Sequence, residues 1–95
     1  MFEDPEYEWD DAKAATNVAK HGVPFTAAYE FDWNKAVIFP DTRRDYGEPR
    51  WLAYAPIRER LHAMVFTIRH GRVRVISLRK ANSREVARYE RENEI

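Results

Sequence analysis

Residues 50–79 read RWLAYAPIRERLHAMVFTIRHGRVRVISLR, and this stretch decides the fold. It divides into three strand-like segments, 50–57, 60–68 and 72–79, rich in β-branched and aromatic residues. The connections RER and RHG are short enough for antiparallel hairpins, and Gly71 supplies a left-handed position for the second. In the middle segment Leu61, Ala63 and Val65 alternate with His62, Met64, Phe66 and Ile68. Both sides are apolar from residue 63 onward, as expected of a central strand covered on two faces.

Working outward, AVIF at 36–39 adds a short strand that stops at Pro40-Asp41. The meander therefore has four antiparallel strands. Between its first two strands lies DTRRDYGEP (41–49), the longest polar stretch and a natural place for function. Upstream, Asp10 reads as the N-cap of a helix that stops at Gly22, with Ala12, Ala15, Val18 and Ala19 as its apolar side. Lys13, Asn17 and Lys20 share another side at i, i+4 and i+7. VPFTAAYEF restarts a helix at Pro24, with Phe25, Ala28, Tyr29 and Phe31 as its buried side, and DWN ends it. EYEW is a short first strand with Tyr7 and Trp9 on one side. Downstream, Asn82 and Glu85 form a capping box that opens a last helix, with Val86, Ala87 and Tyr89 as its weak apolar side.

The expectation is one α+β domain over residues 1–95, with about 1–6 and 91–95 frayed. Two N-terminal helices pack on a four-stranded antiparallel sheet, and a C-terminal helix follows.

Composition narrows the function classes. The chain has no Cys, which removes disulfides, thiol nucleophiles and Cys-based zinc sites. No apolar run approaches the ~18 residues of a membrane span, and the acidic start MFEDPEYEWD lacks a signal-peptide layout. A complete, soluble, cytoplasmic protein with no membrane partner is expected. The formal charge of zero hides a division. Residues 1–48 hold five Lys/Arg and eleven Asp/Glu, whereas 49–95 hold eleven and five, ten of the eleven being Arg. Such a division gives either an Arg-rich face suited to phosphate or a surface of intramolecular ion pairs.

His21, His62 and His70 show no ligand spacing, so no metal is expected, and no phosphate-binding loop, dinucleotide fingerprint or nucleophile elbow is present. Ser77, inside a strand, reads as a structural hydroxyl. Arg69, Arg72, Arg74, Arg79 and Lys80 crowd the last two strands, and Arg84 and Arg88 follow. By period two, Arg72 and Arg74 share a face and Arg79 points to the other unless a bulge intervenes. Glu48 and Arg50 flank Pro49 at a loop–strand junction. This inventory fits metal-free RNA cleavage. Arg and Lys neutralise the phosphorane, while His or Glu handles protons.

Three spaced motifs carry a family resemblance. They are EWDDAKAATNVAKHGVPFTAA, with its W-D-x-x-K-x-x-x-N-x-x-K-H-G pattern; Glu48-Pro49-Arg50; and RVRVISLRKANSREVARYE, with its R-x-I-S-x-R-x-A ending. Together, from Tyr7 to about Tyr89, the chain resembles the BrnT toxins of bacterial type II toxin–antitoxin systems, whose fold is similar to that of RelE-type ribonucleases. The resemblance implies a growth-inhibiting endoribonuclease without metal or cofactor, leaving a 2′,3′-cyclic phosphate. It also implies a BrnA-like antitoxin with a ribbon-helix-helix part, through which alone operator DNA is contacted. Carried onto matching positions, the catalytic set is Lys20, His21, Glu48, Arg50 and Arg79, and the RNA-binding set is Arg69, Arg74 and Lys80. One departure is YAPIRER (54–60), where relatives carry glycine after the second strand. A stiffer turn is expected there. Two other readings stand beside the nuclease. One is an inactive module that only binds an antitoxin or RNA. The other is a purely structural role for the arginines, paired with the acidic first half.

Overall fold

The computed structural model describes residues 5–93. A two-residue strand β1 (Tyr7–Glu8) precedes helix α1 (Asp11–His21). Two 3₁₀ segments, Phe25–Glu30 and Trp33–Lys35, lead to β2 (Val37–Pro40). The meander β3 (Trp51–Ile57), β4 (Arg60–Arg69) and β5 (Arg72–Lys80) ends in helix α2 (Ser83–Asn93). The sheet order is β1-β5-β4-β3-β2, so β4 is central, as its two apolar faces require.

The antiparallel meander β2–β5 is as the sequence predicts, but the sheet is mixed and five-stranded. β1 joins it parallel to β5, with Tyr7 opposite Val73 and Glu8 opposite Arg74. Two residues are too few for a period-two pattern to indicate a sheet partner. The second N-terminal helix is also corrected, to a 3₁₀ segment. Its buried residues Phe25, Ala28 and the following Phe31 recur every third position, matching three residues per turn. They cover one sheet face, packing with Trp33 on Ala53, Ala55, Met64, Phe66, Val75 and Leu78. Expected frayed residues 1–4, 94 and 95 lie outside the described residues. Within them, Val73 N–H donates to Glu6 O at 2.9 Å.

The buried side of α1 differs from the expected alanine stripe. Val18 is 45% exposed, whereas Asn17 is 5% exposed and Ala14 packs on the core. The reason lies at the sheet edge. β1 covers β5 only at Val73 and Arg74, leaving the outer edge at Leu78 without a strand partner. The Asn17 amide fills that gap. It donates to Leu78 O (2.7 Å) and Val23 O (2.9 Å), and its Oδ1 accepts from Leu78 N (3.2 Å). Helix α1 is thus tied to the edge of β5 by polar groups.

Both tight hairpins use residues in left-handed conformation. His70 and Gly71 have φ of 53° and 75°, and Arg58 takes φ 57°. Pro56 lies within β3, beyond the end of β2, where its missing N–H costs no ladder bond and its carbonyl accepts from Asp32 N at 3.1 Å.

Candidate active site

β5 contains one residue too many for its partner. Val65 pairs with Ser77 and Phe66 with Val75, which leaves Ile76 as a bulge. The bulge inverts the alternation. Val73, Val75 and Leu78 all lie on the core face, while Arg74, Ser77 and Arg79 share the other face with Thr67, Val65 and Ala63. Arg79 therefore joins the face of Arg74. Lys80 falls on the opposite one, opposite His62.

The Lys-His-Gly turn is built as its local chemistry dictates. The Asp10 carboxylate caps the Lys13 N–H (3.0 Å), and Gly22, at φ 71°, donates its N–H to Val18 O (2.8 Å). Lys20 and His21 occupy the last turn, where the Lys20 charge offsets the negative end of the helix dipole. They line a cleft of ≈ 290 Å³ between α1 and β5, together with Lys13, Thr16, Ile76 and Ser77. Among the described residues, Lys13, Lys20 and His21 form no side-chain hydrogen bond or ion pair. Three basic groups and two hydroxyls face one open cleft. Lys13 could have been found from its i, i+7 spacing with Lys20. Ser77 could not, because the bulge that exposes it has no signature in RVRVISLR.

Glu48 and Arg50 lie elsewhere, in a cleft of ≈ 450 Å³ lined also by Asp41, Tyr46 and Trp51. The junction is rigid. Thr67 donates to Pro49 O at 2.6 Å, and Asp41 N donates to Arg50 O at 2.8 Å. The Arg50 guanidinium stacks 4.0 Å from the Tyr46 ring centre, with its Nε 3.6 Å from Glu48. That Nε is buried without a hydrogen-bond partner among the described residues. Arg69 donates to Glu48 at 2.9 Å, and this bond holds the Glu48 carboxyl below its usual range, helped by the charges of Arg69 and Arg50 and opposed by burial. Glu48 is accordingly a poor proton acceptor near neutrality and a good positioner of two arginines.

Arg79 occupies a third place. Its Nη1 and Nη2 donate to the two Glu85 oxygens at 2.6 and 2.8 Å, and the Tyr54 hydroxyl reaches Glu85 at 3.4 Å. The Asn82–Glu85 capping box closes reciprocally at 3.0 and 2.9 Å. The Arg79 bond lowers the Glu85 pKa against the effect of burial, and Glu85 in turn raises that of Arg79. Sequence reading found Glu85 as a cap and missed it as the partner of Arg79. Arg74 donates to Glu8 at 2.6 Å. The clefts of Lys20–His21 and Glu48–Arg50 share no lining residue.

Among the described residues no group of three His, Cys, Asp or Glu side chains could hold a metal ion, and no helix is long and apolar enough to cross a membrane. The model of the family described as ribonuclease toxin, BrnT, of type II toxin–antitoxin systems matches residues 9–85. The chain belongs to the BrnT family. A comparison with curated proteins gave no match. Membership makes the chain a toxin ribonuclease of a type II system, with RNA as substrate and an antitoxin as partner. The BrnT match spans every position singled out above from α1 to Glu85.

Proposed function

We propose that the chain is a metal-independent endoribonuclease that cleaves at the α1–β5 cleft and leaves a 2′,3′-cyclic phosphate. The observation that carries this reading is the convergence of Lys13, Lys20 and His21 on one open cleft with no carboxylate tied to them, beside the Ser77 and Thr16 hydroxyls. In the reaction, neutral His21 takes the proton of the ribose 2′-hydroxyl. The 2′-oxygen then bonds to phosphorus and the bond to the 5′-oxygen breaks. An ammonium of the cleft or a water returns a proton to that oxygen. Lys13 and Lys20 neutralise the charge that builds on the phosphoryl oxygens. Arg50, positioned by Glu48 and stacked on Tyr46, and Arg79, on the face shared with Ser77, contact the flanking RNA, as do Arg69 and Arg74.

The same reading has the toxin arrest translation and growth in the cytoplasm. It is neutralised by a BrnA-like ribbon-helix-helix antitoxin that makes the operator contacts. A chain that binds without cleaving is the second reading. It is favoured by the carboxylate pairing of Arg74 and Arg79. The discriminating experiment incubates purified toxin with RNA in EDTA and maps the new ends. Cyclic-phosphate ends that vanish in Lys20→Ala/His21→Ala support the nuclease. Cleavage abolished by EDTA refutes its metal independence, and wild-type rates in the folded double variant refute the cleft.

A further inference from the structure

The charge division of the sequence resolves largely into specific pairs, and three of the arginines left over share one surface. Glu6 pairs with Arg72, Glu8 with Arg74, Glu30 with Arg58 and Glu48 with Arg50 and Arg69. Arg79 is taken by Glu85. Among the described residues, Arg84, Arg88 and Arg91 of α2 have no carboxylate partner within ion-pair distance. They stand at i, i+4 and i+7, so they form one stripe along the helix. With Tyr54, Asn82 and Glu85 they line a groove of ≈ 300 Å³. At 3.6 residues per turn, Glu90 falls on the far side of the helix from this stripe, and Glu92 borders its last turn.

The stripe is held in place. The Arg88 guanidinium stacks 3.6 Å from the Phe39 ring centre. Phe39 and Tyr54 lie on the sheet face opposite the core, which is also the face of Arg79 and Ser77. The groove thus opens on the same side of the sheet as one wall of the α1–β5 cleft. An arginine row with exposed guanidinium edges and one stacked member suits a flexible polyanion, since each fork can take a phosphate oxygen pair.

We propose that the α2 groove is an RNA-backbone track, in which Arg84 and Arg91 bind phosphates of the single strand flanking the cleaved bond. The proposal rests on the nuclease reading and adds a second binding segment to it. The family match ends at Glu85, so Arg88 and Arg91 lie outside the matched region.

The test measures binding of an uncleavable single-stranded RNA, 2′-O-methylated throughout, between 50 and 200 mM salt. Single-stranded sites lose about 0.7 in the slope of log affinity against log salt per phosphate contact. Arg84→Gln/Arg91→Gln should flatten the slope by about 1.4, so that wild-type affinity falls about sevenfold more than the variant's over that range. Arg84→Lys/Arg91→Lys, which keeps the charge, should restore the slope. Arg88 is left alone because it packs on Phe39. A slope unchanged in the Gln variant, with Lys13→Gln/Lys20→Gln still flattening it, overturns the track and leaves the cleft standing. Wild-type protein with no salt-dependent RNA binding overturns both. A Gln variant that binds RNA normally but loses capture by an acidic polypeptide, polyglutamate serving as probe, overturns the RNA assignment in favour of a protein partner.

Discussion

Replacing Asn17 by Ala should be among the most damaging single changes in the chain, although Asn17 sits in the middle of a helix and Ala is the better helix former. The side chain makes three hydrogen bonds, to Val23 O at 2.9 Å and to Leu78 O and N at 2.7 and 3.2 Å. Leu78 and Val23 are buried, so the substitution strands the Leu78 N–H and carbonyl at the sheet edge and the Val23 carbonyl beside them. A buried group left without its partner costs roughly 1–3 kcal/mol. Water entering from the adjoining cleft recovers part of this for some of the groups, and the helix-propensity gain returns a few tenths of a kcal/mol. The net expectation is a loss of about 3 kcal/mol, or a fall in Tm of roughly 12–24 °C for a domain of this size. Urea denaturation followed by far-UV circular dichroism measures it. RNA cleavage, compared at a temperature where the variant is still folded, should fall further, because the same amide fixes Lys20 and His21 relative to Ser77. A stability loss below about 1 kcal/mol would refute the argument that Asn17 replaces a missing strand.

Two smaller perturbations test the caps and the Arg79 network. Gly22→Ala meets no atom within 4 Å, so it pays only for a left-handed backbone at φ +71°. A loss of about 1 kcal/mol is expected, with Gly22→Asn losing less, and a thermal melt that shows a gain would count against the cap. Glu85 has a lowered folded-state pKa, so its stabilisation is complete above the ordinary value of 4.5 and is lost as pH falls through the folded value. Urea melts from pH 7 to 3 should show wild type about 2 kcal/mol more stable than Glu85→Gln near neutrality. That advantage should shrink below about pH 4.5. An advantage that does not change with pH would show that the Glu85 charge does not hold Arg79.

The parts of the fold that the sequence announced are those fixed locally. The alternation of 61–68 requires a strand buried on two faces, and β4 is central. Asp10 and Gly22 fix the two ends of α1 with groups within four residues of each helix end. The missed parts depend on partners far along the chain. β1 is two residues long and is defined by Val73 and Arg74. The buried side of α1 is set by Leu78, 61 residues from Asn17, rather than by its alanines. The 3₁₀ segment was open to reading, since Phe25, Ala28 and Phe31 recur every third residue and Tyr29, assigned to the buried side, is 66% exposed.

The site follows the same rule with one added lesson about arginine. Period two puts Arg79 on the face opposite Arg74 unless a bulge intervenes, and the Ile76 bulge does intervene and brings the two to one face. The bulge also decides what the arginines face. It brings Ser77 to the α1–β5 cleft and Arg79 under Glu85, so one inserted residue arranges both places. A face rich in arginine was legible from the count of ten in the second half, but the count overstated what is free. Glu6, Glu8, Glu30 and Glu48 take up arginines one or two at a time. The ion pairs link the first half of the chain to the meander, and among the cations they leave without a carboxylate, two groups share a surface: the lysine–histidine turn of α1 and the arginine stripe of α2. A phosphate meeting either surface displaces no carboxylate. At Arg74 or Arg79 it would first have to break an ion pair at 2.6 Å. Free-energy cost alone thus ranks the α1 cleft above the paired arginines as the place where a scissile phosphate is held.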